Sequence, residues 1–171
     1  MEQEYEYVFV VEGASVTDGP DVSVVLGEFD GLLATHRDGQ LLAVSGGGSD
    51  AVDAARKLVA RLRRSLPHLR VLRLDPDLVG VPDIAERTGR SRGVVREWAE
   101  GDRCDAGPFP APEGTAGRSP VWRWGEVNAW LAALGEGDAA GVPLREEALD
   151  VDVMLRRWQR AREGARAASR S

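Results

Sequence analysis

Three observations predict an α+β fold built as two small units with a helix at the C-terminal end. Over residues 5–74 the local patterns run strand, helix, hairpin, helix, strand. Residues 80–101 hold two short helical patterns divided by a glycine, followed by two extended arms around a Gly-rich tip. A stretch of small residues then precedes a last helical repeat. With 171 residues, 43% hydrophobic and 29% charged, the chain has a globular composition and the length of one ordinary domain or two small ones.

Residues 5–12 (YEYVFVVE) are aromatic and β-branched, which suits a pleated, half-buried surface, and predict the first strand. The turn residues 17–20 break it. Val22, Val25, Leu26 and Phe29 then recur at helical spacing over 21–29, with Asp21 near the positive end of that helix. Asp30 and Gly31 end it. Apolar runs at 32–35 and 40–45 are joined by His36, Arg37, Asp38 and Gly39, where Asp-Gly supplies the positive φ angles of a tight hairpin. Gly46, Gly47 and Gly48 predict a flexible turn, and Ser49 predicts the N-cap of a helix reaching about residue 66. Its inward stripe is Ala51, Val52, Ala55, Leu58, Val59 and Leu62. Its outer face carries Arg56, Lys57, Arg61, Arg63 and Arg64, read as a solvated face, with a phosphate-binding surface as the alternative. Pro67 stops the helix, and 69–74 is the fourth strand. This order is that of a split βαβ, ferredoxin-like unit, with one sheet face under two helices and the other open. An open face of this kind serves dimerisation or receives another part of the chain.

Further on, Pro82 suits a first helical turn, Asp83 and Glu86 favour its positive end, and Ile84 and Ala85 point inward. Gly89 supplies a turn. Ser91 is the N-cap of a second helix over 92–100, ended by Gly101. On a helical wheel Val94, Val95 and Trp98 fall on one side and Arg92, Gly93 and Arg96 on the other. Two guanidiniums one turn apart, beside a glycine that permits close approach, make the arrangement that reads guanine edges in a major groove. Residues 109–112 and 121–124 predict extended arms around 113–119. They form a wing whose Arg118 and Ser119 at the tip and Arg123 on the return arm contact phosphates or the minor groove. A helix over 126–134 packs Val127, Trp130, Leu131 and Leu134 back onto Trp98 and Ile84. Trp98, Trp122, Trp124 and Trp130 read as core rather than base-stacking residues.

VPDIAERTGRS (81–91), VREW (95–98), FPAP (109–112) and WRWGEV (122–127), taken together, resemble the winged helix-turn-helix of MerR, excisionase and AlpA-like DNA-binding proteins. The resemblance covers residues 79–134, about a third of the chain. It implies that the second helix lies in the major groove and the wing touches the backbone, which implicates Ser91, Arg92, Arg96 and Arg118. Arg90, Gly93, Ser119 and Arg123 complete the candidate DNA-binding set. The long N-terminal unit precedes the motif instead of following it as a MerR effector domain would, so the resemblance implies DNA binding and not metal or drug sensing. Residues 102–108 are acidic for a loop facing DNA.

The formal charge is -6, and residues 1–78 carry 8 basic and 13 acidic side chains, residues 79–130 carry 7 and 8, and residues 131–171 carry 7 and 7. The acidity therefore sits in the first unit, and a near-neutral second unit still permits an arginine face for DNA. Residues 46–49 lack the Gly-Lys-Ser/Thr of a phosphate loop. His36, His68 and Cys104 are too scattered for a metal site, and Ser45, His36 and Asp38 make no catalytic grouping. No enzyme, cofactor or metal is expected. The apolar runs are too short for a membrane span or signal peptide, and one cysteine fits a reducing compartment. The expected location is cytoplasmic, on the nucleoid when bound to DNA. Lys57 is the only lysine, and this arginine-rich usage resembles high-G+C bacterial coding sequence.

Residues 136–143 read as a linker. Over 144–166 Leu144, Ala148, Val151, Leu155 and Trp158 recur at spacings of 4, 3, 4 and 3, a short coiled-coil-like seam that either dimerises or docks on the open sheet. The expected division is a ferredoxin-like α+β domain over 1–76, a winged helix-turn-helix over 77–135, the linker, and a C-terminal helix with a frayed tail over 144–171. The expected partners are double-stranded DNA, a second copy of the chain, and a protein held by the N-terminal domain or the C-terminal helix. The reading is a sequence-specific bacterial transcriptional regulator. Its alternatives are an excisionase-like architectural factor of a mobile element and an interaction adaptor working through the N-terminal sheet.

Overall fold

The computed structural model describes residues 1–17, 19–36, 39–101, 107–137 and 141–169, the side chains of His36 and Arg166 excepted. Arg37 and Asp38 of the expected hairpin turn, Cys104 with most of the acidic loop, three linker residues and the last two residues lie outside that set. In order, the elements are β1 (Gln3–Glu12), α1 (Pro20–Phe29), β2 (Leu32–His36), β3 (Gly39–Gly48), α2 (Ala51–Ser65), β4 (Arg70–Leu74), β5 (Leu78–Val79), α3 (Val81–Thr88), α4 (Arg92–Glu100), β6 (Gly114–Ala116), β7 (Ser119–Arg123), α5 (Trp124–Ala133) and α6 (Arg145–Ala168). The chain is α+β, and its described residues divide into two compact units, 1–75 with 146–171 and 76–145.

In the first unit the strands form one antiparallel sheet in the order β2-β3-β1-β4. Alternation along β1 decides which face is buried. Tyr5, Tyr7, Phe9 and Val11 are enclosed, while Glu4 and Glu6 face solvent. Phe9 stands opposite Leu42 on one side and Leu74 on the other, so the three strands present a common apolar face. Ala54, Ala55, Leu58, Val59 and Leu62 of α2 and Val25 and Phe29 of α1 close over it. Leu26, expected on the inward stripe of α1, is 63% exposed, and Asp21 is turned inward in the same helix.

The glycine run is not a flexible turn. Gly46, Gly47 and Gly48 continue β3 to its end. A Cβ on Gly48 would lie 2.4 Å from the Ala54 nitrogen, and one on Gly46 3.2 Å from Leu58 Cβ. The missing side chains let α2 lie directly on the strand, a close approach that at Gly48 only glycine permits. Asp50, rather than Ser49, caps α2, its Oδ1 accepting from the Asp53 N–H at 2.8 Å.

Helix α6 belongs to the core of this first unit. Ala148, Val151 and Leu155 are buried with the sheet residues, and Met154 and Trp158 pack against them. Off the apolar seam, Asp152 Oδ1 accepts from the Leu74 N–H at 2.8 Å, and Gln159 Nε2 donates to the carbonyls of Val71 at 2.9 Å and Leu72 at 2.8 Å. β4 is an edge strand whose outer backbone groups need partners. α6 supplies them, and so lies along the β4 edge on the side of α1 and α2. The opposite sheet face keeps Val8, Val10, Ala34, Leu41 and Ala43 half-buried and Leu32 exposed.

The second unit closes around Val79, Ile84, Val95, Trp122, Trp124, Val127, Trp130 and Leu131. Its sheet has the order β5-β7-β6, with Val79 opposite Trp122 and Thr115 opposite Pro120. The expected first arm, 109–112, is not a strand, since its prolines have no N–H for a ladder. Phe109 instead meets Trp122 and Trp130 edge-on at 5.6 and 5.0 Å between ring centres. The indole nitrogens of the same tryptophans donate to Pro110 O at 3.0 Å and Gly107 O at 3.2 Å. No described helix is long and apolar enough to cross a membrane.

Candidate nucleic-acid interface

The local chemistry of the second unit builds two short helices joined by a tight turn at Gly89. At the start of α3 the Asp83 carboxylate accepts from the Gly80 N–H at 2.7 Å, satisfying one of the free donors of a helix N-terminus. Gly89 ends the helix at φ +65° with no atom near its absent Cβ, so the backbone conformation, and not packing, requires glycine there. The Arg90 N–H bonds back to Ala85 O at 3.1 Å. Ser91 then caps α4, its Oγ accepting from the Val94 N–H at 3.2 Å.

Helix α4 is anchored by one face. Val95 is fully buried, and the Trp98 ring lies 5.4 Å from Trp130 at a 59° tilt. The opposite face carries Arg92, Gly93 and Arg96, all exposed. A Cβ on Gly93 would meet only Ser91 Oγ, at 3.6 Å, so nothing within the chain demands a glycine. Its effect is to leave the helix surface low between the two arginines.

In place of the expected arms at 109–112 and 121–124 around a tip at 113–119, the hairpin strands lie at Gly114–Ala116 and Ser119–Arg123, mostly inside that tip. β6 and β7 join through Gly117 and Arg118, with Gly117 at φ +65°, a two-residue hairpin with glycine at its first central position. Arg118 is exposed at this turn, and Ser119 opens β7 opposite Ala116.

Two members of the candidate set have partners of their own. Arg123 Nε lies 3.1 Å from Glu113 Oε2, an ion-pair contact without hydrogen-bond alignment, and Arg145 meets the same carboxylate. The side chain is 19% exposed and committed to the root of the wing. Arg90 pairs with Glu136 at 2.8 Å across an exposed surface, a pair worth at most about 1 kcal/mol and readily exchanged. Among the described residues no carboxylate lies within ion-pair distance of Arg92, Arg96 or Arg118.

Arg87 holds the frame. It makes two 2.8 Å hydrogen bonds to Asp77 and lies 4.8 Å over the Trp124 ring, tying α3 to the chain entering β5 and to the start of α5. Between α4 and the wing runs a groove of about 870 Å³ with Leu78, Pro112 and Pro120 on its walls and Arg96, Thr115 and Ser119 among its polar positions. Leu78 was not legible as part of this surface, because a two-residue strand such as β5 leaves no periodic signal, whereas Thr115 falls within the expected tip at 113–119. Among the described residues no group of three His, Cys, Asp or Glu side chains is placed to hold a metal ion.

No protein-family model, curated protein or solved structure matches the chain.

Proposed function

We propose that the second unit is a winged helix-turn-helix that binds double-stranded DNA, and that the protein is a sequence-specific DNA-binding regulator. The observation that carries the reading is the pairing of an anchored inner face on α4 with an outer face of two exposed guanidiniums, Arg92 and Arg96, that have no carboxylate partner among the described residues. In this reading α4 enters the major groove and the two arginines address guanine edges. Arg118 at the wing turn and the Ser91 end of α4 address phosphates. Arg90 joins them by exchanging Glu136, whereas Arg123 acts through the wing root. The first unit, with the strand order β2-β3-β1-β4, is proposed as a ferredoxin-like module that pairs two copies through its open sheet face, so that two half-sites are read together.

Selection from a random DNA pool by the full chain, followed by fluorescence anisotropy on the enriched sequence, tests this. Arg92→Ala with Arg96→Ala is expected to lower selectivity for the enriched over a random duplex at least tenfold, since each good base contact discriminates by about 1–3 kcal/mol, while the circular dichroism spectrum is unchanged. Selectivity equal to the wild type sinks the reading.

A second reading rests on the groove beside Arg96, whose walls at Leu78, Pro112 and Pro120 suit apolar side chains better than phosphates. It makes the winged unit a protein-binding adaptor. Failure to enrich any sequence from the pool, together with a defined protein ligand lost on Leu78→Glu, favours it.

A further inference from the structure

A second set of arginines converges in the first unit, far in sequence from those of the winged unit. Arg63 from α2, Arg70 from the start of β4 and Arg162 from α6 line a pocket of about 160 Å³, together with Val71, Gln159 and Glu163. Arg63 and Arg162 are each held from behind. The Arg63 guanidinium stacks 4.5 Å over the Trp158 ring. Arg162 donates to the Pro67 carbonyl at 3.4 Å. Arg70 lines the pocket at the start of β4, but its side chain is ion-paired with Glu12 on the sheet face away from the helices. Among the described residues neither Arg63 nor Arg162 has a carboxylate within ion-pair distance.

A solvated helix face spreads its charges along one element and intersperses carboxylates. Here guanidiniums from two helices, Arg63 and Arg162, 99 positions apart in the chain, meet at one concavity beside the start of β4. Burial, and then the like charge of Arg162, hold the Arg63 pKa below its usual value. An anion in the pocket offsets both effects, because it supplies the counter-charge and the hydrogen-bond acceptors that water only partly provides. Planar guanidinium forks fit tetrahedral oxyanions in particular. The volume sets the size of the guest, since it falls below the roughly 300–1,000 Å³ of ordinary small-molecule pockets and suits one charged group rather than a whole nucleotide.

We propose that Arg63 and Arg162 form an anion site that takes a phosphoryl group, presented either by a free phosphorylated small molecule or by a nucleic-acid backbone. Glu163 on the lining opposes the anion and sets its affinity. The site does not rest on the DNA-binding reading of the winged unit, whose arginines are a separate set.

Inorganic phosphate is the probe. Thermal unfolding of the full chain at pH 7, in phosphate against chloride at equal ionic strength, is expected to show a saturable rise in Tm. Arg162→Gln is expected to weaken the phosphate affinity about tenfold, the weight of a charge-assisted hydrogen bond. Glu163→Gln, at an exposed position with no fold role, is expected to tighten it about threefold by removing a screened like charge. Equal unfolding in phosphate and chloride, or wild-type phosphate affinity in Arg162→Gln, overturns the site. Affinity for a random 20-base-pair duplex separates the two sources. A loss in Arg162→Gln assigns the site to the nucleic-acid backbone, and unchanged duplex binding with lost phosphate binding assigns it to a free ligand. The Arg92→Ala, Arg96→Ala variant is expected to keep the phosphate effect, which separates this site from the winged unit.

Discussion

Asp21 is 5% exposed and its carboxylate joins parts of the first unit that the chain order keeps apart. Oδ2 accepts from the Ser15 N–H at 2.7 Å and meets His68 Nε2 at 2.9 Å. The Ser15 hydrogen bond is the larger cause, with His68 behind it, of a carboxyl pKa held below the ordinary aspartate value despite burial. A depressed folded-state pKa contributes stability that is fully present above the unfolded value and is lost as pH falls through the folded one. Asp21→Asn is therefore expected to destabilise the protein by about 1–3 kcal/mol at pH 7, the usual penalty for weakening a buried hydrogen-bonded group. The gap to the wild type is expected to narrow as pH drops below about 4, the unperturbed aspartate range. Urea titrations at pH 7, 5, 4 and 3 measure it, and a gap constant across that series contradicts the assignment. Position in the sequence shows only an acid near a helix start, because one of the two groups its carboxylate joins, His68, lies 47 residues away.

At the scale of elements, α6 shows what periodicity can and cannot settle. The seam Ala148, Val151 and Leu155 was legible from its 4-3-4 spacing and is buried as a stripe, with Leu144 at 38% exposure marking its end. Its target was not legible, since one apolar stripe serves a coiled coil and a sheet equally well. The decision lies in two polar side chains off the stripe, Asp152 and Gln159, which answer the unpaired backbone of β4. The same logic separates α4 from the wing. Capping at Ser91 and the turn at Gly89 depend on neighbours within four residues and are legible in the sequence, whereas the position of the first arm depends on ladder partners across the hairpin, and the strand lies at Gly114–Ala116, inside the expected tip, instead of at 109–112. Leu155→Ala is expected to cost about 2–5 kcal/mol as a buried large-to-small change. Leu149→Ala, on the same helix at 55% exposure, is expected to stay within about 0.5 kcal/mol. Denaturant midpoints of the two variants distinguish a docked helix from a free one, for which both values would be small.

Across the whole molecule the net charge of -6 opposes approach to DNA, so the proposed binding rests on a few local guanidiniums and not on a general positive field. That makes the salt dependence informative. Each phosphate neutralised adds about 0.9 to the slope of log affinity against log salt. Arg118 is exposed at the two-residue β6–β7 turn and, in the proposed reading, neutralises one phosphate per copy. Arg118→Ala is expected to lower the slope by about 0.9 if one winged unit is bound per complex and by about 1.8 if two are. The size of the drop thus reports whether copies act singly or in pairs. The ratio of selected to random affinity is expected to stay at the wild-type value, because phosphate contacts position a protein without reading sequence. Arg92→Ala with Arg96→Ala is expected to do the reverse, lowering that ratio through lost base contacts. Anisotropy titrations from 50 to 300 mM salt on both duplexes separate the two effects, and an unchanged slope in Arg118→Ala removes the wing from the interface while leaving α4 to be judged by its own variant.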